Sequence, residues 1–204
     1  MIALFFEVTP KPGQDDRYLE IAASLRPVLD ASGGCLFLER YRSLTRPRTM
    51  LSHQIWADEA SLARWRANAR HYGAQTAGRT QVFDDYRLRV GAVAAEAKPG
   101  GPAAAVDTGL AYNDPARVPE RWMVVVRSAE TAFDGGSDGE AFRSVYDASR
   151  HAWVGAVPDR ARGLALLARA AGDSRVHVAQ LCLVSRDYGL LDRAEAPQYF
   201  PPVQ

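Results

Sequence analysis

Lysine is nearly missing from this chain of 204 residues: Lys11 and Lys98 are the only two, and arginine carries the rest of the positive charge. A codon bias toward arginine explains this without reference to function. Twenty-five basic residues stand against 24 acidic ones, a net charge of +1. They are scattered singly, so no basic stripe exists for a phosphate backbone and nucleic acid is not an expected partner. No apolar run approaches the roughly 18 residues of a membrane-spanning helix, so no membrane is expected either. The opening MIALFFEV has no charged leader and runs straight into a strand pattern, which makes the cytoplasm the expected compartment. Cysteine is scarce: Cys35 and Cys182 lie in apolar runs, away from any Cys or His at ligand spacing, and are expected to be inert buried thiols. There is no HxxxH, CxxC or clustered carboxylate set for a metal. No GxGxxG or Walker motif supports a flavin or nicotinamide. The cofactor expectation is therefore none.

What remains is a globular composition, 47% apolar and 24% charged, in a chain long enough for one large or two small domains. Ile2 to Thr9 is a strand of aromatic and β-branched residues, apolar on both faces. Asp15 and Asp16 open a helix whose apolar stripe is Tyr18, Ile21, Ala22, Leu25, Val28 and Leu29. Pro27 should kink or shorten its last turn, and Gly33-Gly34 ends it. Two strands follow, Cys35 to Leu44 and Met50 to Trp56, joined through Arg46-Pro47-Arg48. A helix then carries Leu62, Trp65 and Ala69 on one face, Gly73 to Gly78 interrupts it, and Phe83 to Val90 is a further strand. This β-α-β-β-α-β order is the split βαβ arrangement of a ferredoxin-like antiparallel sheet with both helices on one face. Its other face is also apolar, so a partner subunit or the rest of the chain must cover it.

The expected domain division is 1–92, an Ala/Gly/Pro-rich linker over 93–118, and a second α+β half over 119–204. In that half Arg121–Arg127 and Val176–Val184 read as strands. Glu140–Val154, with Phe142, Val145, Tyr146 and Ser149 in register, and Asp159–Ala171 read as helices. The resulting β-α-α-β order suggests a degenerate copy of the first half without its central hairpin, closed by a Pro-rich tail.

Residues 2 to about 92 resemble the antibiotic biosynthesis monooxygenase family of the dimeric α+β barrel superfamily. The matching text is FEVTPKPG (6–13), LERYRSL (38–44), IWADEASLARWR (55–66), AQTAGR (74–79) and FDDYRLRV (83–90). RDYGLLDRAEAP (186–197) is similar to the tail that closes single-domain members. The resemblance implies a sheet-to-sheet homodimer. The activities it implies are cofactor-free oxygenation of electron-rich phenols, haem degradation, or no established reaction.

Candidate residues follow from polar groups set in apolar elements. Trp65 matches the family's pocket tryptophan and also reads as a core aromatic. His53 stands where the family carries an aliphatic side chain; it is either a satisfied core histidine or a base for a phenol. Arg40 could hold a phenolate, or pair with Glu7 or Glu39. Gln54 and Tyr72 are further candidates, and Glu7, Tyr41 and Phe83 complete the expected substrate-binding set. The expected function is a cofactor-independent monooxygenase that uses O2 on an aromatic, phenolic or polyketide-like molecule. In it His53 deprotonates, Trp65 walls the pocket and Arg40 stabilises the anion. The alternatives are a haem-binding or haem-degrading protein and a non-catalytic ligand-binding module. Against haem, the tenth residue after Trp65 is Gln75 rather than the proximal histidine of the haem branch, and Glu7 stands where that branch has an asparagine.

Overall fold

A strand that is apolar on both faces must be covered on both, and β1 (Ile2–Pro10) is. In the computed structural model, which describes residues 1–106 and 120–196, it lies between a layer of helices and the interior of a closed barrel. The first half runs β1, α1 (Asp15–Ser32), β2 (Cys35–Ser43), β3 (Met50–Trp56), α2 (Glu59–Ala67), α3 (Ala69–Ala77) and β4 (Phe83–Ala97). A short β5 (Ala104–Ala105) pairs with the end of β4. The second half runs β6 (Trp122–Ala129), β7 (Gly139–Ser144), β8 (Arg150–Val157), α4 (Arg160–Ala171) and β9 (Val176–Gly189).

The strands are joined in the order β1-β3-β2-β7-β8-β6-β9-β4, and β4 pairs back to β1. That closes an eight-stranded antiparallel barrel from a single chain. At eight strands the interior is just wide enough to be filled by side chains. Ala3, Phe5, Leu51 and Ile55 of the first half meet Met123, Val125, Val154 and Val184 of the second there. Each fully buried aliphatic or aromatic side chain stabilises the closure by about 1.5–3 kcal/mol. The second half therefore covers the sheet face that the family resemblance assigned to another subunit, and the homodimer expectation loses the bare surface that motivated it.

The second half differs from its sequence reading. Glu140–Val154 is not a helix but the hairpin β7–β8, paired Gly139↔Gly155 to Arg143↔His151. The order is β-β-β-α-β, so the central hairpin is kept and the first helix is missing. Its place over the outer face is taken by Phe133, edge-on to Trp153 at 6.4 Å. The Trp153 indole fits because Gly135, Gly139 and Gly155 surround it: a Cβ on any of them would come within 2.1–2.3 Å of the ring.

Smaller differences concern breaks. α1 continues through Pro27 to Ser32 rather than stopping short. The expected interruption at Gly73–Gly78 is the helix α3, followed by a π-helical turn over Gly78–Val82. β4 continues to Ala97, so residues 93–97 of the expected linker are strand. Residues 107–118 of that linker, and the tail from Pro197 onward, lie outside the described residues. Among the described residues no helix is long and apolar enough to cross a membrane.

Candidate functional site between helices and sheet

Strand alternation sorts the expected site residues onto two sides. Cross-strand pairing sets Arg40 opposite Ser52, and Glu39 opposite His53. Arg40, Ser52 and Gln54 thus point toward the helices, while Glu39, Tyr41, Leu51 and His53 point into the barrel. Two adjoining hollows of about 130 and 110 Å³ lie on the helix side, and both are walled by Phe6, Gln54, Trp65, His71, Gln75 and Phe83.

Local sequence explains the shape. Asp58 caps α2 by accepting from the Ser61 amide at 2.7 Å, which aims Trp65 at the sheet. Asn68 then breaks the helix with an extended backbone and caps α3, its side chain accepting from the Arg70 and His71 amides at 3.0 and 3.3 Å. The break turns His71 back onto Trp65, the rings stacked at 4.3 Å and 17°. Nδ1 lies 3.0 Å from both the Trp65 carbonyl and the Gln75 side-chain nitrogen; in the tautomer that donates from Nδ1 to that carbonyl, the imidazole keeps a lone pair at Nε2. Burial pulls its pKa down to about 4, so it is neutral throughout the neutral range. Gln54 is fixed, accepting from Trp56 Nε1 at 2.9 Å and donating to Ser52 Oγ at 3.2 Å.

The larger hollow is apolar along Leu4, Leu62 and Val90 and cationic at its rim, where Arg66, Arg79, Arg186 and Arg193 line it. Tyr86 accepts from Arg79 Nη1 at 2.8 Å and from Arg193 Nη1 at 2.5 Å. Arg186 donates to Glu59 Oε1 at 2.6 Å. These guanidiniums form a fixed positive edge of the kind that receives a carboxylate or enolate. Arg40 lines the smaller hollow with Trp65 and donates to the Tyr146 hydroxyl of the second half at 3.0 Å.

The structure therefore brings together Trp65, Arg40, Gln54 and Phe83, and separates His53 from them. His53 is fully buried inside the barrel, stacked on Phe5 at 4.8 Å, with Nδ1 3.2 Å from the Leu4 carbonyl. Burial, aided by nearby Arg127, lowers its pKa to about 3. It cannot touch a molecule on the helix side and is not the base of that site. Glu7 also belongs to the barrel, where it pairs with Arg46 and Arg89. Tyr41 is buried there too, its phenol pushed up by burial. Tyr72 is 45% exposed and lines neither hollow. Sequence reasoning did not place His71, Tyr86, Arg186, Tyr188 or Arg193 in the pocket they line. The signal for three of these was the RDYGLLDR text: β9 lies beside β4, with Tyr188 opposite Leu88, and so returns that motif to the first half's pocket.

Residues 1–77 match the antibiotic biosynthesis monooxygenase family. A Pyricularia oryzae protein named Jasmonate monooxygenase ABM is 35% identical over 222 residues, spanning 99% of this chain and 99% of that one. The chain belongs to the antibiotic biosynthesis monooxygenase family. Among solved structures, an antibiotic biosynthesis monooxygenase covers 44% of the chain and 95% of its own, at 17% identity and a TM-score of 0.40. A monooxygenase candidate from Lactobacillus acidophilus covers 91% of the chain and 94% of its own, at 7% identity and a TM-score of 0.43.

Haem, the alternative ligand of the sequence reading, fits this family member poorly. His71, the histidine that lines the helix-side hollows, has its ring held flat against Trp65 rather than turned toward a metal. Among the described residues no three His, Cys, Asp or Glu side chains gather as a metal site.

Proposed function

We propose that the protein is a cofactor-independent monooxygenase for a small, mainly apolar molecule that has an acidic C–H beside a carbonyl or phenol and an anionic end. The observation that carries this is the helix-side hollow itself, an apolar channel between a neutral imidazole, His71, and an edge of arginines. Polyketide-like phenols have these features. So has jasmonate, a carboxylate with a ring ketone, after which the Pyricularia relative is named.

In this scheme His71 Nε2 takes the C–H proton, and the arginine edge and Arg40 hold the resulting carbanion or enolate. The anion gives one electron to O2, and the radical pair couples to form the C–O bond. His71 returns its proton to give a hydroperoxide. Removal of the second proton at that carbon then breaks the O–O bond and forms the carbonyl. The leaving hydroxide takes the proton from His71 and departs as water. A methylene and O2 thus become a carbonyl and water, with both electron pairs drawn from the substrate, so no outside reductant is needed. Trp65 walls the site and helps exclude water, which strengthens each electrostatic contact.

Oxygen uptake with purified protein, jasmonate and a panel of anthrone-type and quinol substrates, without reductant, metal or flavin, tests the proposal. Substrate-dependent uptake with one carbonyl formed per O2 is expected. Turnover that begins only when a reductant is added would remove the cofactor-free scheme.

A further inference from the structure

A third hollow, about 520 Å³, lies on the opposite side of the sheet at one open end of the barrel. β2 bonds to β7 only from Tyr41 to Ser43, so the earlier part of β2 leaves a gap on that side. The mouth is formed where β3, β4 and β6 end and β2, β8 and β9 begin.

Its polar groups are unevenly matched. Glu39 accepts from Ser144 Oγ at 2.6 Å and from Arg150 Nη1 at 3.2 Å. Glu96 accepts from Gln180 Nε2 at 2.8 Å and lies 3.6 Å from Lys98 Nζ. Both carboxylates of the mouth are therefore engaged. Arg127 feels Tyr41, Glu96 and Glu39 only through space: no ion pair among the described residues holds it, and its Nε is buried without a hydrogen-bond partner. Its guanidinium carbon sits 3.7 Å over the Phe37 ring, which fixes the plane of the charge. Gln180 is only 2% exposed, and its Oε1 is also buried without a partner.

We propose that this barrel mouth is a binding site for a small organic carboxylate that also carries a hydrogen-bond donor. The carboxylate meets Arg127, the donor meets Gln180 Oε1, and the apolar body lies on Phe37 and Ile55. The unpartnered Nε of half-buried Arg127 and the unpartnered Oε1 of buried Gln180, both beside one hollow, call for a ligand with both complements. An inorganic anion would satisfy only the first. The sheet separates this site from the helix-side hollow, so it stands whatever reaction occurs there.

Isothermal titration calorimetry of the full chain with 3-hydroxybenzoate, 4-hydroxybenzoate and mandelate tests it, with benzoate and benzyl alcohol as comparators lacking the donor or the charge. Saturable one-to-one binding of at least one hydroxy acid is expected, tenfold or more tighter than either comparator. Arg127→Met should weaken it at least tenfold, and Gln180→Leu should reduce it to the affinity of benzoate. Trp65→Ala should leave it unchanged. Circular dichroism checks that each variant is folded, and the two mouth variants do not depend on each other. Absence of binding by all three acids overturns the proposal. So does binding that survives both mouth substitutions or disappears with Trp65→Ala.

Discussion

Replacing His53 with leucine should make the protein less sensitive to acid while leaving it active. The folded protein holds this imidazole neutral, with a pKa of about 3 against an ordinary 6.5. A histidine depressed in this way favours the folded state fully above pH 6.5. That advantage is lost as pH falls toward the folded value, because the unfolded chain takes up a proton that the folded one refuses. At pH 5 the loss is about 2 kcal/mol, from 1.36 kcal/mol per pH unit over the 1.5 units below 6.5. His71, depressed to about 4, adds a similar loss over nearly the same window. Wild type should therefore lose about 4 kcal/mol between pH 7.5 and pH 5 from these two residues, and His53→Leu about half of that. At pH 7.5 the substitution removes one hydrogen bond to Leu4 and one unpartnered buried nitrogen, Nε2. These offset each other to within about 1 kcal/mol. Urea unfolding of both proteins at the two pH values measures the difference of differences. An identical pH dependence in the two proteins would refute the assignment of a buried neutral imidazole.

Three further outcomes follow from the same geometry. Arg193→Ala removes one guanidinium from Tyr86 and from the cationic rim, and should raise KM for a carboxylate substrate about tenfold or more with a smaller change in kcat; steady-state kinetics reads the split. Gly139→Ala drives a methyl against the Trp153 indole and the Val154 carbonyl, and should cost about 1–3 kcal/mol, seen as a lower Tm without change in the catalytic constants. Because one chain closes the barrel, light scattering should give a mass near 22.3 kDa; a stable dimer would show that some other surface pairs.

The first half was largely legible because its signals agree. Strand alternation, the α1 stripe and the glycine stop at Gly33-Gly34 all point the same way, and the observed elements differ from the reading by a residue or two at most ends. The second half was misread where a local pattern competed with barrel closure. Phe142, Val145, Tyr146 and Ser149 have helical spacing, but β7 is needed to pair with β2 at Tyr41–Ser43. Gly139 and Gly155, the positions that admit Trp153, were the local hint of a hairpin. The two sides of the site were also implicit in the sequence. His53 and Gln54 are adjacent in a strand and so cannot share a face, but which face holds the pocket depends on helices that composition alone does not place. His71, weighed in the sequence only as an iron ligand, was not placed in the pocket because its position comes from the break at Asn68, which folds it back against Trp65.

The central claim is that chemistry occurs between the helices and the sheet, with His71 and not His53 as the base. Oxygen uptake by His71→Ala and His53→Leu, measured side by side on a substrate that wild type turns over, tests it most directly. His71→Ala should lose about a hundredfold or more in kcat, and His53→Leu should stay within about twofold of wild type. Loss of turnover in His53→Leu with full activity in His71→Ala would contradict the assignment and move the reaction into the barrel.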